Sequence, residues 1–180
     1  MVSNKVLNRV YVNYDSGIRM GLVSKPKITF AHGNESRLDE IKVLWEHLNQ
    51  CMNERSTHFK QHFSAMTFAK RKKELLKKAS CGVMRVDLAV DELCGEVVGY
   101  LVSSVNSEKV GCVESIFVSE LFRGIGVGDK LMSNALAWME EKGAVEKMLE
   151  VTVGNEQVHG FYERFGFLPR QTLFKQVNKG

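Results

Sequence analysis

The sequence predicts a single α/β domain, residues 1–180, with a mixed, mostly antiparallel central sheet flanked by helices. Three strand-like segments follow one another between residues 83 and 118 with short connections, which is typical of an antiparallel meander. Segments with helical periodicity lie on both sides of them. A glycine-rich turn then joins the last of these strands to a long amphipathic helix. At 180 residues the chain is long enough to bury a substantial core.

The composition is that of a soluble globular protein, with 44% hydrophobic and 26% charged residues. A net charge of +4 is too small to indicate a nucleic-acid partner. The sequence has no run of 18 apolar residues and no signal-peptide core, so we expect a cytoplasmic location and no membrane association. The four cysteines form no CxxC pair, which favours buried free thiols over a metal cluster.

The first 24 residues are predicted to form an appended β-hairpin, ahead of a core that spans residues 27–177. Val6–Tyr14 and Ile18–Val23 are β-prone and flank a turn that contains glycine. This hairpin would either extend the sheet or form an arm that covers the substrate or contacts a second subunit. A homodimer is the assembly that such an arm would support.

A strand and two helices are predicted before the central strands. Lys27–Ala31 is a short strand, and an N-cap at Asn34 or Ser36 opens a helix that runs to about Glu54. The second predicted helix is Ser64–Ala79. Its many lysines form a solvated cationic face or, alternatively, attract an acidic acceptor or partner.

The remaining elements complete the sheet and cover it. The central strands are predicted at Val83–Val90, Glu96–Val105 and Val110–Val118. A long helix follows at Gly128–Gly143, where Gly143 acts as a C-terminal stop. After it come a buried strand, a short helix and a last strand, predicted at Lys147–Val153, Asn155–Phe165 and Arg170–Val177.

The turn Arg123–Gly128, between the third central strand and the long helix, is predicted to bind an anion. Glycines allow the backbone to approach an oxyanion closely, and the first N–H groups of a helix have no intrahelical partner. The expected ligand is therefore a phosphate or pyrophosphate. A Walker A loop does not fit, because Lys130 is followed by leucine, and GxGxxG does not fit, because Asp129 stands where the third glycine belongs.

The pattern Arg123-x-x-Gly126-x-Gly128 resembles the pyrophosphate loop of the GNAT superfamily of acetyl-CoA-dependent N-acyltransferases. Farther along, Asn155 and the segment Phe161-Tyr162-x-x-x-Gly166-Phe167 are similar to the second cofactor segment of that family. The resemblance covers roughly residues 83–177. It is weak between residues 34 and 80 and does not reach the first 25.

This resemblance implies a GNAT-like sheet that splays between the strands at about 110–118 and 147–153, with acetyl-CoA as the cosubstrate in the gap. The backbone of the third central strand would pair with the pantetheine arm, and an N–H near Phe117 or Val118 would polarise the thioester. The glycine-rich turn would hold the pyrophosphate. The cofactor-binding residues that the resemblance implies are Ile116, Phe117, Val118, Arg123, Gly124, Ile125, Gly126, Val127, Gly128, Asp129 and Asn155.

The resemblance also implies two candidate catalytic side chains. Glu114 stands where the polyamine-acetylating branch places a general base, which an alkyl ammonium with a pKa of about 10.4 requires at neutral pH. The alternative is an exposed strand glutamate without a catalytic role. Tyr162 stands where the family often uses a tyrosine to protonate the leaving thiolate. Its alternative is a core tyrosine beside the cofactor.

The sequence therefore predicts an N-acetyltransferase that moves an acetyl group from acetyl-CoA to a primary amine by direct transfer in a ternary complex, without a metal. The alternative is a non-catalytic acyl-CoA-binding regulatory module. The acceptor is left open among a polyamine-like amine, an amino acid or antibiotic amine, and a protein N-terminus or lysine. Residues expected to suit a cationic amine are Trp45, Glu46, Glu54, His58 and Phe59.

Overall fold

The computed structural model describes residues 26–176, so the predicted hairpin at residues 1–24 lies outside the described residues. Within residues 26–176, five strands form one sheet in the order β1-β2-β3-β4-β5. They are β1 (Ile28–Gly33), β2 (Gly82–Asp91), β3 (Val97–Asn106), β4 (Val110–Val118) and β5 (Glu146–Leu149). The α-helices are α1 (Lys42–Arg55), α2 (Lys60–Ala65), α3 (Phe68–Ala79), α4 (Val127–Glu141) and α5 (His159–Glu163).

The first four strands pair antiparallel in chain order, which confirms the predicted meander. β5 pairs parallel to β4 because α4 carries the chain across the sheet between them. One apolar cluster joins α1 and α3 to one face of the sheet and includes Trp45 and Tyr100. A second cluster joins α4 to the other face and includes Leu101 and Leu131. The site described below lies where these layers meet at the β4–β5 edge.

The helical region before β2 differs from the prediction in one respect. A 3-10 turn, Glu35–Ile41, leads into α1, and the side chain of Asn34 accepts a hydrogen bond from the Ser36 N–H at 3.1 Å, which confirms Asn34 as a cap. The predicted helix from Ser64 is wrong at its start. The Thr67 side chain accepts from the Lys70 N–H at 3.3 Å, and this N-cap separates α2 from α3.

Of two strands predicted after α4, the first is formed but is shorter and less buried than expected, and the second is wrong. The expected buried strand at residues 147–153 is the four-residue β5, whose side chains are exposed or half-buried. The expected strand at residues 170–177 is not formed over its described part, 170–176, where Leu173 and Phe174 are 87% and 90% exposed. β-prone residues form a strand only where a neighbouring strand and an apolar face accept them. Residues 170–176 have neither a neighbouring strand nor an apolar face to pack against within the described part of the chain.

The cysteines are free thiols, as expected, but they are not buried. Cys81 and Cys94 are exposed, because they lie in the turns that follow α3 and β2. Cys51 and Cys112 are half-buried, in α1 and β4. The prediction of four buried thiols was therefore wrong, since two of the four lie in connections that packing leaves at the surface.

Candidate functional site

β4 and β5 separate at the middle of β4, which confirms the predicted splay. Their pairing runs from Val110↔Glu146 to Val113↔Leu149, where β5 ends, while β4 continues to Val118. The second half of β4 therefore has β3 on one side and, within residues 26–176, no strand on the other.

The backbone of β4 presents hydrogen-bonding groups to this gap. The N–H of Ser119 donates to the carbonyl of Val98 on β3 at 2.9 Å, and backbone groups alternate sides along a strand. Phe117 therefore directs its N–H toward β3, whereas Ile116 and Val118 direct theirs into the gap. Of the two residues expected to polarise a thioester, Val118 is the one whose N–H faces the open side.

The turn Arg123–Gly128 is open on its outer side. Gly124 and Gly126 have φ angles of +75° and +90°, in the left-handed region that favours glycine, and a Cβ at either would meet no atom within 4 Å. The N–H of Lys130 is the first that bonds back into α4, to the Gly126 carbonyl at 3.0 Å. The N–H groups of residues 124–129 find no acceptor in the described part of the chain. They are therefore free to bind an anion.

Arg123 connects this turn to the end of β4. Its Nε donates to the carbonyl of Val118 at 2.8 Å, and its guanidinium lies 5.3 Å from the centre of the Phe117 ring. Its Nη1 lies 3.5 Å from Glu120 Oε1. Arg123 thus lies at the end of the gap where β4 ends. Two of its nitrogens, Nε and Nη1, already face acceptors within the chain.

α5 packs against the first turn of α4. A Cβ at Gly128 would lie 3.3 Å from the Phe161 ring, so a larger residue there would push the ring away. Asp129 pairs with Arg164, whose Nη2 lies 2.8 Å from its Oδ1. The guanidinium of Arg164 also lies over the rings of Phe161 and Phe165, at 5.2 Å and 5.9 Å from their centres.

Tyr162, on α5, is half-buried and packs with the α4-side cluster. Burial raises the pKa of its hydroxyl above its ordinary value, so the phenol is protonated at neutral pH. This hydroxyl has no partner among the described residues. The hydroxyl of Tyr100, in contrast, lies 2.8 Å from Ser115 Oγ. Tyr162 therefore carries a proton that no other group of the described chain engages.

Asn155 follows β5, in a loop that packs against the end of α1. Its Oδ1 accepts hydrogen bonds from Arg55 Nη1 and, at 2.7 Å, from Gln157 Nε2. The backbones are also close, since a Cβ at Gly154 would lie 2.9 Å from the Arg55 carbonyl. These contacts fix the carboxamide and leave its Nδ2, which has no acceptor within residues 26–176, as a donor.

Glu114 lies in a β-bulge. Ser115 pairs with Val102 and Val113 with Ser103, so Glu114 is the extra residue of β4. Its side chain is only 3% exposed. The bulge therefore turns this carboxylate inward, so Glu114 is not an exposed strand residue, and its catalytic role stays a prediction.

Residues from α3 and β3 surround the Glu114 carboxylate. Lys78 Nζ lies 2.6 Å and 2.9 Å from its two oxygens, and Ser104 Oγ donates to Oε1 at 2.8 Å. Arg71 donates to the Glu114 carbonyl at 2.8 Å. Elsewhere on α3, Lys72 pairs with Asp39 at 2.7 Å, so much of the cationic face is already neutralised within the chain.

A cleft of about 350 Å³ lies between α1 and the junction of α2 with α3. Its lining includes Trp45, Glu46, Asn49, Asn53, Phe63 and Phe68. Asn49 Nδ2 donates to the carbonyls of Phe63 and Met66, at 2.9 Å and 3.3 Å. Asn53 Oδ1 is buried and has no hydrogen-bond partner in the described part of the chain. The cleft therefore has aromatic walls and one carboxylate, and the unpaired Asn53 Oδ1 is buried beside it.

Sequence reasoning named Trp45 and Glu46 for this region but missed Asn49 and Asn53. These asparagines stand four and eight residues after Trp45, on the same stripe of α1, and this spacing is the signal that could have found them. Glu54, His58 and Phe59, which were named with Trp45, are not part of the lining.

Residues 26–176 contain no group of three or more His, Cys, Asp or Glu side chains that could hold a metal ion. In the same part of the chain, no helix has the length and apolar character needed to cross a membrane.

Comparison with known proteins gives a consistent result. The model of the acetyltransferase (GNAT) family matches residues 42–167. N-alpha-acetyltransferase 30 of Schizosaccharomyces pombe is 34% identical over 70 residues, which are 39% of this chain and 47% of that protein. An N-alpha-acetyltransferase of Sulfolobus acidocaldarius is 37% identical over 90 residues, 43% of this chain and 54% of that protein. The chain spans about half the length of these curated relatives.

Solved structures show the same fold at low sequence identity. A GCN5-related N-acetyltransferase from Ralstonia eutropha superposes with a TM-score of 0.63 at 16% identity, over 84% of this chain and 99% of that one. Aminoglycoside N-acetyltransferase AAC(6')-Iy, in complex with CoA, gives a TM-score of 0.59 at 17% identity, over 87% of this chain and 98% of that one.

Proposed function

The chain belongs to the acetyltransferase (GNAT) family, and from this membership we propose that it transfers an acetyl group from acetyl-CoA to a primary amine. The observation that carries the proposal is that two regions suited to different parts of acetyl-CoA adjoin each other. The gap beside the second half of β4 can take an acyl-pantetheine arm, and it leads directly to the free N–H groups of residues 124–129, which can take a pyrophosphate.

In this proposal the donor binds as an additional strand beside β4. The N–H groups of Ile116 and Val118 face the gap and pair with the pantetheine arm, and Asn155 Nδ2 donates to the same arm. The Val118 N–H donates to the thioester oxygen, where negative charge develops as the amine attacks. The residues of the glycine-rich turn, with Arg123, hold the phosphates.

The proposed reaction is direct transfer within a ternary complex. The amine nitrogen attacks the thioester carbon, the C–S bond breaks, and the thiolate takes a proton from the Tyr162 hydroxyl while the amine loses one to a base. A covalent relay through Cys112, which lies on β4, is disfavoured. Burial, and next the Glu114 carboxylate, raises the pKa of the Cys112 thiol to about 12, so that it stays protonated and a poor nucleophile at neutral pH.

The proposed acceptor is the α-amino group of a peptide, bound along the cleft between α1 and the α2–α3 junction. Asn53 lines the cleft, and Arg55, two residues later on α1, contacts Asn155, which the proposal assigns to the pantetheine arm. Aromatic walls and amide groups suit a peptide side chain better than a polyamine, which would need several carboxylates. The names of the two N-alpha-acetyltransferase relatives support the same acceptor.

An acceptor screen with free CoA as the readout tests this proposal. The panel contains a peptide with a free N-terminus, the same peptide with a blocked N-terminus and an internal lysine, a polyamine and an aminoglycoside, each compared with a blank without acceptor. We expect CoA release with the free N-terminus. Release with another amine alone would contradict the peptide acceptor. Binding of acetyl-CoA without release on any amine would instead support the regulatory module.

Glu114 is the proposed general base, and its contact with Lys78 sets a condition on that role. The ammonium of Lys78 occupies both carboxylate oxygens, so the ammonium of an acceptor must displace it or act through water. Glu114→Gln is expected to lower kcat by about tenfold or more at neutral pH, where an α-amino group with a pKa of about 8 is mostly protonated. The loss should shrink as the pH approaches the pKa of the amine, because the free base then forms without help.

Lys78→Met is the matched control for Glu114→Gln, because it removes the lysine of the ion pair and keeps the carboxylate, with Arg71 Nη2 still 3.5 Å from Glu114 Oε2. We expect it to preserve kcat. Thermal melts of both variants show whether the fold is kept. A Glu114→Gln enzyme with an unchanged kcat at every pH would assign Glu114 a structural role in the bulge.

A further inference from the structure

At Glu114, neither neighbouring strand supplies β4 with a register partner. The register with β3 skips Glu114, which is the extra residue of the bulge. The pairing with β5 ends one residue earlier, at Val113↔Leu149. Glu114 therefore has no register partner on either side within residues 26–176. Here β4 begins to border the gap, so the direction of the strand at this residue decides how its second half is presented.

An arginine of α3 binds the strand at this position. Arg71 Nη2 donates to the Glu114 carbonyl at 2.8 Å and lies 3.5 Å from Oε2 of the same residue. The other arm of the guanidinium, Nη1, lies 3.3 Å from Glu74 Oε2 on the same helix. The Arg71 side chain is only 20% exposed. One planar group therefore joins α3 to both the backbone and the side chain of the bulge residue.

The bulge sets which backbone groups of β4 face the gap. A ladder without the bulge would place Glu114 opposite Val102, but Ser115 occupies that position. Every residue after the bulge is thus displaced by one, and a displacement of one residue exchanges the two sides of a strand. Without the bulge, the Val118 N–H would face β3 instead of the gap. The group proposed to polarise the thioester therefore depends on the bulge at Glu114.

Lys78 and Ser104 bind Glu114 through its side chain. Both contact the carboxylate oxygens, and Lys78 is 51% exposed, so an arriving ammonium can displace it. Arg71, in contrast, binds the backbone carbonyl and can stay in place during that exchange. We propose that Arg71 is a positioning residue, which fixes the β4 bulge and thereby directs the Val118 N–H into the gap. This inference rests on the proposed function.

Kinetics of the full chain with acetyl-CoA and the peptide with a free N-terminus test this inference. Arg71→Met keeps an unbranched stem and removes every donor, and it should lower kcat about tenfold or more, because a displaced strand misplaces the thioester. Arg71→Lys should recover part of the loss, since it restores the charge but not the planar fork. Equal kcat for Arg71→Met and the unmodified chain would overturn the inference.

Lys72→Met is the matched control. It removes a neighbouring cation of α3 that pairs with Asp39 at 2.7 Å and not with β4. We expect its kcat to equal that of the unmodified chain. A loss in Lys72→Met as large as the loss in Arg71→Met would show that both act through the stability of α3, and would overturn a specific role for Arg71.

Titration calorimetry separates positioning from loss of fold. In Arg71→Met, the affinity for CoA should fall several-fold, whereas adenosine 3′,5′-bisphosphate, a fragment of CoA without the pantetheine arm, should bind as before. Fewer binding sites with an unchanged kcat per site would make the role of Arg71 purely structural and overturn the inference. If the unmodified chain binds no CoA, the proposed function fails, and that result differs from every outcome for Arg71.

Amide hydrogen exchange monitors the bulge directly and requires no activity. In Arg71→Met, residues 114–118 should exchange faster than in the unmodified chain, while β2 keeps its rates. In Lys72→Met both segments should keep their rates. Unchanged exchange of residues 114–118 in Arg71→Met would overturn the inference, whether or not transfer is observed.

Glu114→Gln distinguishes the backbone contact from the contact with the carboxylate. Glutamine keeps the backbone carbonyl that Arg71 binds and removes the charge of the side chain. In this background, Arg71→Met should still weaken CoA binding by a similar factor. Loss of the effect would mean that Arg71 acts through the carboxylate alone, and would overturn its role in holding the backbone.

Discussion

Gly126→Asp is expected to abolish measurable binding of acetyl-CoA. Gly126 is the N-cap of α4 and has a φ of +90°, and a side chain there would extend into the open seat in front of the free N–H groups. The aspartate adds a negative charge where a pyrophosphate should bind, and its left-handed backbone costs about 1–2 kcal/mol. Titration calorimetry with CoA measures the loss, and transfer should disappear with it.

Gly95→Asp provides a matched control for this substitution. Gly95 lies in the turn between β2 and β3, has a φ of +73°, and a Cβ there meets no atom within 4 Å. It therefore receives the same charge and a similar backbone strain outside the glycine-rich turn. We expect it to bind CoA normally. Normal binding by Gly126→Asp as well would show that the phosphates do not occupy this turn.

Tyr162→Phe is expected to lower turnover by about 10²- to 10⁴-fold and to leave the affinity for acetyl-CoA almost unchanged. The ring would still pack beside α4, but the departing thiolate would have no proton donor. Burial raises the pKa of the Tyr162 hydroxyl, so the acid form persists to a higher pH than for a free phenol. The kcat of the unmodified enzyme should therefore show no loss from this group below the usual phenol pKa of about 10.

Tyr100→Phe is the control for removal of a tyrosine hydroxyl. Tyr100 is fully buried, and its hydroxyl contacts Ser115 Oγ at 2.8 Å. Loss of this hydroxyl should lower the free energy of unfolding by about 1 kcal/mol and should not change kcat. Single-turnover measurements with saturating acetyl-CoA compare the chemical step in both variants. Equal kcat for Tyr162→Phe and the unmodified enzyme would leave Tyr162 as a core residue beside the cofactor.

The parts of the fold that local patterns determine could be predicted from the sequence. β4 was predicted at Val110–Val118, its observed bounds, because β-branched residues and flanking turn residues define it locally. The glycine-rich turn was predicted because left-handed glycines before a helix have a distinctive spacing. The extent and exposure of β5 could not be predicted in the same way, since its four residues are fixed by pairing with β4 and not by their own hydrophobicity.

The polar contacts of the site could not be predicted, because they join residues that are distant in sequence. Lys78 reaches Glu114 across 36 positions, and Arg55 reaches Asn155 across 100. Each contact depends on the side of the sheet on which a helix lies. The sequence supported Glu114 as a functional candidate but gave no indication that a bulge would turn its carboxylate beneath α3.

The short parallel pairing of β4 with β5 has a consequence for how the domain folds. β2, β3 and β4 join their neighbours through short turns, and such local contacts form early. β5 must wait for the crossover through α4, whose closure costs more chain entropy for only four residue pairs. The gap that is proposed to hold the acyl chain is therefore expected to be completed late in folding, and a donor that binds the completed state would stabilise this last step.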